Sequence, residues 1–394
     1  MRPLPFVLPV LLILSGCKVS NDDTPKPGSS EAAAQQTQPT TAADPLAAHD
    51  NVKSAQDIPD SEARPLMQAQ VVLDRLGFTP GVVDGKQGMS TRNAISGYQE
   101  ANDLALTGEL DAATLAALAQ YQAIPATRVV TIPDEFAAGP FLKIPKDPQE
   151  QAKLSALSYE TLDEKPAERF HTTLATLKLL NPGGVPAGLP VPPGASPSPS
   201  PSATVPVNPA AAPIATFHAG QQVRVPNVGA DVIQPGSVSD PAWLATLAML
   251  GVSSEQPKVA RIVVSKSKGT LKAYDDGGKL VAVYTATMGS VHDALPLGDW
   301  GINGVSRDPK FAYNPALFWD AKPGADKAML PPGPNGPVGV VWIDLTKPHY
   351  GIHGTPNPET IGRAESHGCV RLTNWDAARL AQMVSVKTKV HFEA

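Results

Sequence analysis

Proline is the residue that most limits what this chain can fold into. It supplies 42 of the 394 residues, about twice the ordinary share of roughly 5%. Each proline fixes φ, removes a backbone donor and interrupts helices and central strands. A chain punctuated this often divides into modules joined by linkers, and its length suits two or three domains. Residues 18–60 are rich in Ala, Gln, Thr, Asp and Pro with few large apolar side chains, and read as a disordered tether. Residues 123–150 form a proline-punctuated connector. Residues 185–215 are full of Pro, Ala and Ser, and as polyproline II would extend about 3.1 Å per residue. Net charge is −5 and the pI is near 5.9, so nothing points to nucleic acid as a partner.

Between the linkers the hydrophobic pattern changes character. Leu66, Ala69, Val72, Leu73 and Leu76 make a helical stripe that Gly77 stops. A turn-rich loop, residues 81–88, follows. Ser90 is placed to cap a second helix, Thr91 to Asn102, with Ala94, Ile95 and Tyr98 inward. Asp111 is placed to cap a third, reaching Tyr121. Residues 150–180 read helical, and residues 220–227 read as a strand. Asp240 to Leu250 reads as a short helix. From Val259 the pattern turns to strands: 260–264, 270–274, a hairpin turn at 275–278, a return over 279–287, then 338–345 and 350–352. A final helix, Trp375 to Val384, and a strand, Lys389 to Phe392, complete the chain.

The densest chemistry lies between His353 and Arg371. Cys369 stands in the run Ser366-His367-Gly368-Cys369-Val370-Arg371, and His353-Gly354 lies sixteen residues upstream of it. A thiol is a strong nucleophile as thiolate, which a nearby histidine or arginine favours. The N–H groups of Gly368 and Cys369 are placed to face a developing oxyanion. If the segment is extended, Cys369 and Arg371 share a face, and the guanidinium can hold a substrate carboxylate. Two plainer readings stay open on these residues alone. Cys369 can be a small buried hydrophobe, or His353, His367 and Cys369 can be three zinc ligands without a clear fourth.

The pattern as a whole resembles the L,D-transpeptidase catalytic domain of the YkuD type. The likeness covers roughly residues 258–394, with Leu295 where the family usually has threonine as its one minor departure. It implies that Cys369 is the acylated nucleophile, that His353 is its general base, and that Ser366, His367, Gly368, Arg371 and Gly354 shape the pocket. Because glycine follows His353, a backbone carbonyl is the expected orienter of the imidazole. The implied donor is a peptidoglycan tetrapeptide stem cut between a diamino acid and the terminal D-alanine. The implied acceptor is an amine, from a second stem or from an outer-membrane protein. No metal or cofactor is expected. A carboxypeptidase of the same chemistry, and a non-catalytic wall-binding tether, are the competing functions. The aromatic run 311–319 either borders the donor cleft or packs as a loop over the sheet.

Three further likenesses frame this domain. Residues 61–122 resemble the peptidoglycan-binding type 1 domain, through Leu73, Gly77, Asp84, Gly85, Gly88, Gln99, Gly108, Asp111 and Thr114 among others; most of these are turn, cap or core residues. A three-helix bundle without wall affinity is the plainer alternative. Residues 150–228, interrupted by the linker at 185–215, are similar to a LysM unit; a proline-rich spacer between a helix and a strand is the alternative. Residues 1–17 read as a signal with Leu14-Ser15-Gly16-Cys17 similar to a bacterial lipobox, against an ordinary signal with a chance cysteine. Lipidation of Cys17 would anchor the chain to a membrane, expected to be the outer membrane facing the periplasm, and would leave Cys369 without a disulfide partner. The expected fold is α+β and multidomain: a small three-helix module, then a mainly β catalytic domain.

Overall fold

The computed structural model describes residues 58–190, 215–228, 233, 236–322 and 324–394. The signal with Cys17, nearly all of the tether, and most of the Pro/Ala/Ser linker lie outside the described residues. The described residues fall within one compact unit, Thr41–Ala394.

The first module is three helices: α1 (Pro65–Arg75), α2 (Met89–Ala101) and α3 (Ala112–Leu118). Leu73, Ala94, Ile95 and Tyr98 form its core. Two buried glutamines fix its turns. Gln70 accepts from the Asp84 and Gly85 amides at 3.1 and 2.7 Å and donates to Thr91 Oγ1. Gln99 accepts from the Gly108 amide at 2.9 Å and donates to Thr114 Oγ1. Asp111 caps α3, accepting from Thr114 N at 2.8 Å. The expected cap at Ser90 is not found: α2 begins one residue before it, with Gly88 as N-cap and no side-chain cap. The extended backbone of Gly88 takes the position that the serine pattern suggested.

The second module corrects the reading of residues 123–150 as connector alone. Residues Thr127–Thr131 form β1, which pairs antiparallel with β2 (Gln222–Pro226), nearly a hundred residues later. Between them run two one-turn helices, α4 (Asp134–Ala137) and α5 (Pro148–Gln151), then α6 (Glu164–Arg169) and α7 (Leu174–Leu180). The result is a β-α-α-β unit built on α6 and α7. Phe170, Leu177, Leu180, Val223 and Val225 share one apolar cluster with Met67, Val71 and Val83 of the first module. Asn181 closes the long connection by pairing with the Arg224 backbone in both directions, at 2.8 and 2.6 Å.

The third module opens with α8 (Pro241–Leu250), capped by Asp240 and stopped by Gly251 in the left-handed region. Its strands are β3 (Arg261–Ser265), β4 (Thr270–Tyr274), β5 (Leu280–Thr285), β6 (Thr287–Met288), β7 (Gly298–Arg307), β8 (Phe311–Tyr313), β9 (Ala328–Leu330), β10 (Val341–Leu345), β11 (Gly351–His353), β12 (Val370–Arg371) and β13 (Lys389–Glu393), with α9 (Asn374–Met383) before the last. Nine strands form one sheet in the order β5-β4-β3-β13-β7-β10-β11-β12-β6, and β8 pairs with β9 apart from it. The ten-residue β7 joins the two halves: 298–301 pair with β13, and 302–307 with β10. Both halves bury their inner faces in one cluster, which holds Ile262, Leu271, Ile343, Ile352, Val370, Phe392 and the Trp375, Leu380 and Met383 side chains of α9. This is the α+β arrangement expected, a helical module ahead of a mainly β domain.

The modules are joined by shared structure. Phe78 bridges to Val283 on the edge strand β5, with Thr79 N donating to Val283 O at 3.0 Å and Val283 N to Gly77 O at 3.1 Å. The first module thereby covers a sheet edge that would otherwise be open to pairing. Gly97 is required here, because a β-carbon would overlap Val283. All three modules meet at Asp74, which is wholly buried. It accepts from Arg379 of α9 at 2.7 Å and faces His171 Nδ1 at 3.1 Å. His171 Nε2 lies 2.9 Å from Leu250 O, and its ring stacks on Trp375 at 5.0 Å. Burial opposes the Asp74 charge, but Arg379 and His171 outweigh it and hold the carboxyl below its ordinary 3.8.

Removing one member of a buried charged set leaves the others unpaired, which costs about 3–5 kcal/mol, whereas a part-exposed pair is worth under about 1. Asp74→Ala is therefore expected to lower unfolding stability by about 3–5 kcal/mol in denaturant titration. Glu100→Gln, which cuts the half-exposed contact to Lys272 and Tyr274 elsewhere on the junction, is expected to change it by less than about 1 kcal/mol.

Candidate active site

His353 and Cys369 are brought together by the least common pairing in this domain. Strands β11 and β12 run parallel, with Ile352 opposite Val370 and His353 opposite Arg371. Cys369 stands just before β12. Alternation along the strand puts Cys369 and Arg371 on one face, the face His353 also takes. Cys369 thus enters the strand that lies directly beside the one carrying His353. On the far side β12 pairs with β6, setting Val370 against Met288.

The imidazole is held from three sides. His353 is 4% exposed. Its Nδ1 lies 2.7 Å from the Gly354 carbonyl, so Nδ1 donates and Nε2 keeps its lone pair. The Trp342 indole, opposite it in register, stacks on the ring at 5.5 Å. Gly351 leaves room for that indole, which a β-carbon would meet. Burial first, and Arg371 second, bring the His353 pKa down to about 4. The imidazole is therefore uncharged across the neutral range.

Cys369 is half-buried, with Sγ 3.8 Å from His349 O. Burial raises the thiol pKa, a hydrogen bond from the Gly351 backbone and the Arg371 charge lower it, and Asp293 raises it. The net direction is upward, so thiol and imidazole rest as a neutral pair.

The residues around Cys369 divide by where they point. Ser366 turns inward: its hydroxyl accepts from Gly289 N and donates to Cys369 O, both at 2.6 Å. It ties the cysteine loop to the end of β6. Gly368 has φ +90°, and a β-carbon there would overlap the Tyr350 ring. His367 is half-buried, with Nε2 2.9 Å from Asp320 and its ring against Phe318 and Trp319. The aromatic run 311–319 thus borders the cysteine loop. Arg371 donates to Glu365 O at 3.2 Å. Gly354 packs against Asn374, where no side chain would fit. Among the described residues no three His, Cys, Asp or Glu side chains form a metal-binding group.

Sequence reasoning missed Trp342, Tyr350 and Asn374. Each sits in an apolar or capping stretch whose local pattern signals only structure. It also gave no sign of a cavity of about 1170 Å³ between the three modules. One wall is the 80–91 loop of the first module, another is 356–363 of the loop joining His353 to Cys369, and Glu168 lies on a third. Neither Cys369 nor His353 lines it.

Comparison with known proteins falls on the same boundaries. Residues 259–392 match the model of the YkuD family, described as "L,D-transpeptidase catalytic domain". Residues 64–118 match one described as "Putative peptidoglycan binding domain". The "Putative L,D-transpeptidase YkuD" of Bacillus licheniformis is 36% identical over 130 residues, 33% of this chain and 63% of that protein. The "Probable L,D-transpeptidase YbiS" of Escherichia coli is 30% identical over 135 residues, 33% of this chain and 44% of that protein. The chain thus spans less than two thirds of either relative. Among solved structures, L,D-transpeptidase 3 from Mycobacterium tuberculosis is 18% identical, with a TM-score of 0.29 over 45% of this chain and 76% of that one. Residues 259–392 thus match an L,D-transpeptidase catalytic domain of the YkuD family, in one chain with a match to a peptidoglycan-binding domain at residues 64–118.

Proposed function

We propose that this chain is a cysteine L,D-transpeptidase of peptidoglycan. The arrangement that carries the reading is Cys369 at the entry to β12, next to the strand that carries His353, with His353 Nδ1 committed to the Gly354 carbonyl and Nε2 left to take a proton. Cys369 Sγ attacks the carbonyl between the diamino acid and the terminal D-alanine of a tetrapeptide stem. The thiol proton passes to His353 Nε2 as the S–C bond forms. The Gly368 and Cys369 amides stabilise the oxyanion. Collapse breaks the C–N bond, and the proton on Nε2 goes to the departing D-alanine amine. An acceptor amine then attacks the thioester, gives its proton to His353, and restores the thiol. The acceptor is a second stem, giving a 3→3 cross-link, or an amine of an envelope protein. Arg371 serves two ends in this scheme, holding a substrate carboxylate and stabilising the developing thiolate.

A neutral resting pair suits this chemistry. The ion pair forms only as the carbonyl is attacked, so the buried site does not stabilise charge ahead of need. The β-α-α-β unit is read here as LysM-like, supported by its antiparallel β1 and β2 with α6 and α7 between them. With the first module it would raise the local concentration of wall substrate. Membrane attachment and an envelope location rest on the sequence of residues 14–17 and are part of the same proposal.

Two measurements test it. The chain without its first 17 residues is incubated with purified tetrapeptide muropeptides, with Cys369→Ala as control, and the products are read by mass spectrometry. A cross-linked dimer that depends on Cys369 is expected. Tripeptide alone would show hydrolysis instead, and an unchanged substrate would defeat the enzyme reading. In the pH profile, the acid limb of kcat/KM is expected near pH 4, not near the ordinary histidine value of 6.5. Arg371→Gln removes a positive charge that lowers the imidazole pKa, so the limb should move to higher pH. A limb that stays in place would refute that electrostatic role.

A further inference from the structure

Asn374, the first residue of α9, is wholly buried and every polar atom of its side chain is committed. Its Oδ1 accepts from Val340 N at 3.3 Å. Its Nδ2 donates to Pro334 O at 3.0 Å and to Glu168 Oε1 at 2.6 Å. The same amide fills the space that a β-carbon on Gly354 or on Gly339 would occupy. It is therefore packed directly against the residue whose carbonyl holds His353 Nδ1.

Glu168 comes from another module. It lies on α6 of the β-α-α-β unit, 206 residues from Asn374 in sequence. Its second oxygen accepts from Tyr159 OH at 2.5 Å. The neighbouring charge is Glu164, of like sign, and burial pushes the Glu168 carboxyl up to about 7. Such a carboxyl is costly to bury and adds little to stability on its own. The surrounding chain is clamped to the catalytic domain: Leu157 N donates to Pro332 O, Asn335 N to Leu157 O, and Asn335 Nδ2 to Glu164 at 2.9 Å. Side chains around a reacting imidazole set its tautomer and orientation, and their loss typically lowers function by about 10–100-fold in metal sites built the same way.

We propose that Glu168 is a positioning residue for the catalytic histidine: it fixes the Asn374 amide, Asn374 fixes Gly354, and the Gly354 carbonyl fixes His353, so that the β-α-α-β module completes the active site of the next domain. The inference rests on the reading of His353 as general base. Glu168 and Tyr159 also line the cavity between the modules, so this chain of contacts begins at that cavity and ends at the imidazole.

The test uses the chain from residue 18 onward with ¹⁵N-labelled histidine. Two readouts are taken: the imidazole nitrogen spectrum of His353, assigned with His353→Gln, and kcat and KM on tetrapeptide muropeptide. In the parent protein His353 is expected as a single Nδ1–H tautomer. Glu168→Gln removes the charge from the bond to Asn374 Nδ2 and leaves a single oxygen where two donors now find one each. It is expected to mix the tautomers and lower kcat about tenfold, with KM within twofold. Tyr159→Phe should act in the same direction with a smaller effect. Glu100→Gln, which loosens a different contact between modules, should leave tautomer and kcat unchanged. A folded Glu168→Gln protein with the parent tautomer and kcat would overturn the proposal. So would an equal loss in Glu100→Gln, which would mean general loosening. If Glu168→Gln does not fold, Tyr159→Phe decides on the same two readouts, and an unaltered protein overturns the proposal. If the parent shows no turnover, the functional reading fails, and the tautomer spectra still decide whether Glu168 positions the ring.

Discussion

One buried carboxylate keeps the three modules in register. Asp74 belongs to the first module, His171 to the second and Arg379 to the third, and all three side chains are withdrawn from water. Neither Asp74 nor Arg379 could be buried unpaired, because an isolated charge in an apolar interior costs far more than packing returns. His171, whose pKa burial lowers, joins them as a neutral ring bonded at both nitrogens. Folding of the modules is thereby coupled, and the shared apolar clusters on either side act in the same sense.

That coupling reaches the chemistry. The third module alone would have an exposed β5 edge and an Asn374 amide with a missing partner. The helical modules supply both. Both His353 and Cys369 are withdrawn from water, which explains the two pKa directions together. Burial disfavours imidazolium and thiolate alike, and Arg371 is placed so that it opposes the first and helps the second.

What the sequence made legible was mostly local. Helix stripes, the Asp111 cap, the glycine stops and the hairpin at 275–278 are each decided within a few residues. The motif around His353 and Cys369 was also legible, because its residues carry chemistry rather than shape, and its two ends come onto neighbouring strands. The backbone carbonyl that orients His353 was read from the glycine that follows it, and lies there at 2.7 Å. Long-range pairing was not legible. Residues 127–131 look like connector because their partner lies beyond a proline-rich stretch. The central strand β7 reads Gly-Asp-Trp-Gly-Ile-Asn-Gly-Val-Ser-Arg, and its glycines and polar residues hide the alternation that marks a strand. Ser366 sits in the motif beside the nucleophile, yet its hydroxyl is spent on backbone. Glu168 carries no local signal at all, since its role exists only once two modules have met.

The first module is bonded to β5 by main-chain hydrogen bonds and sealed by the Asp74 cluster, which ties its loop at residues 81–88 to the body that carries Cys369. If that loop grips the wall, the enzyme works as a ruler rather than a leash. It would act on stems at one fixed offset from the point of attachment and pass over those at other spacings, so the geometry of the wall itself would become part of its specificity.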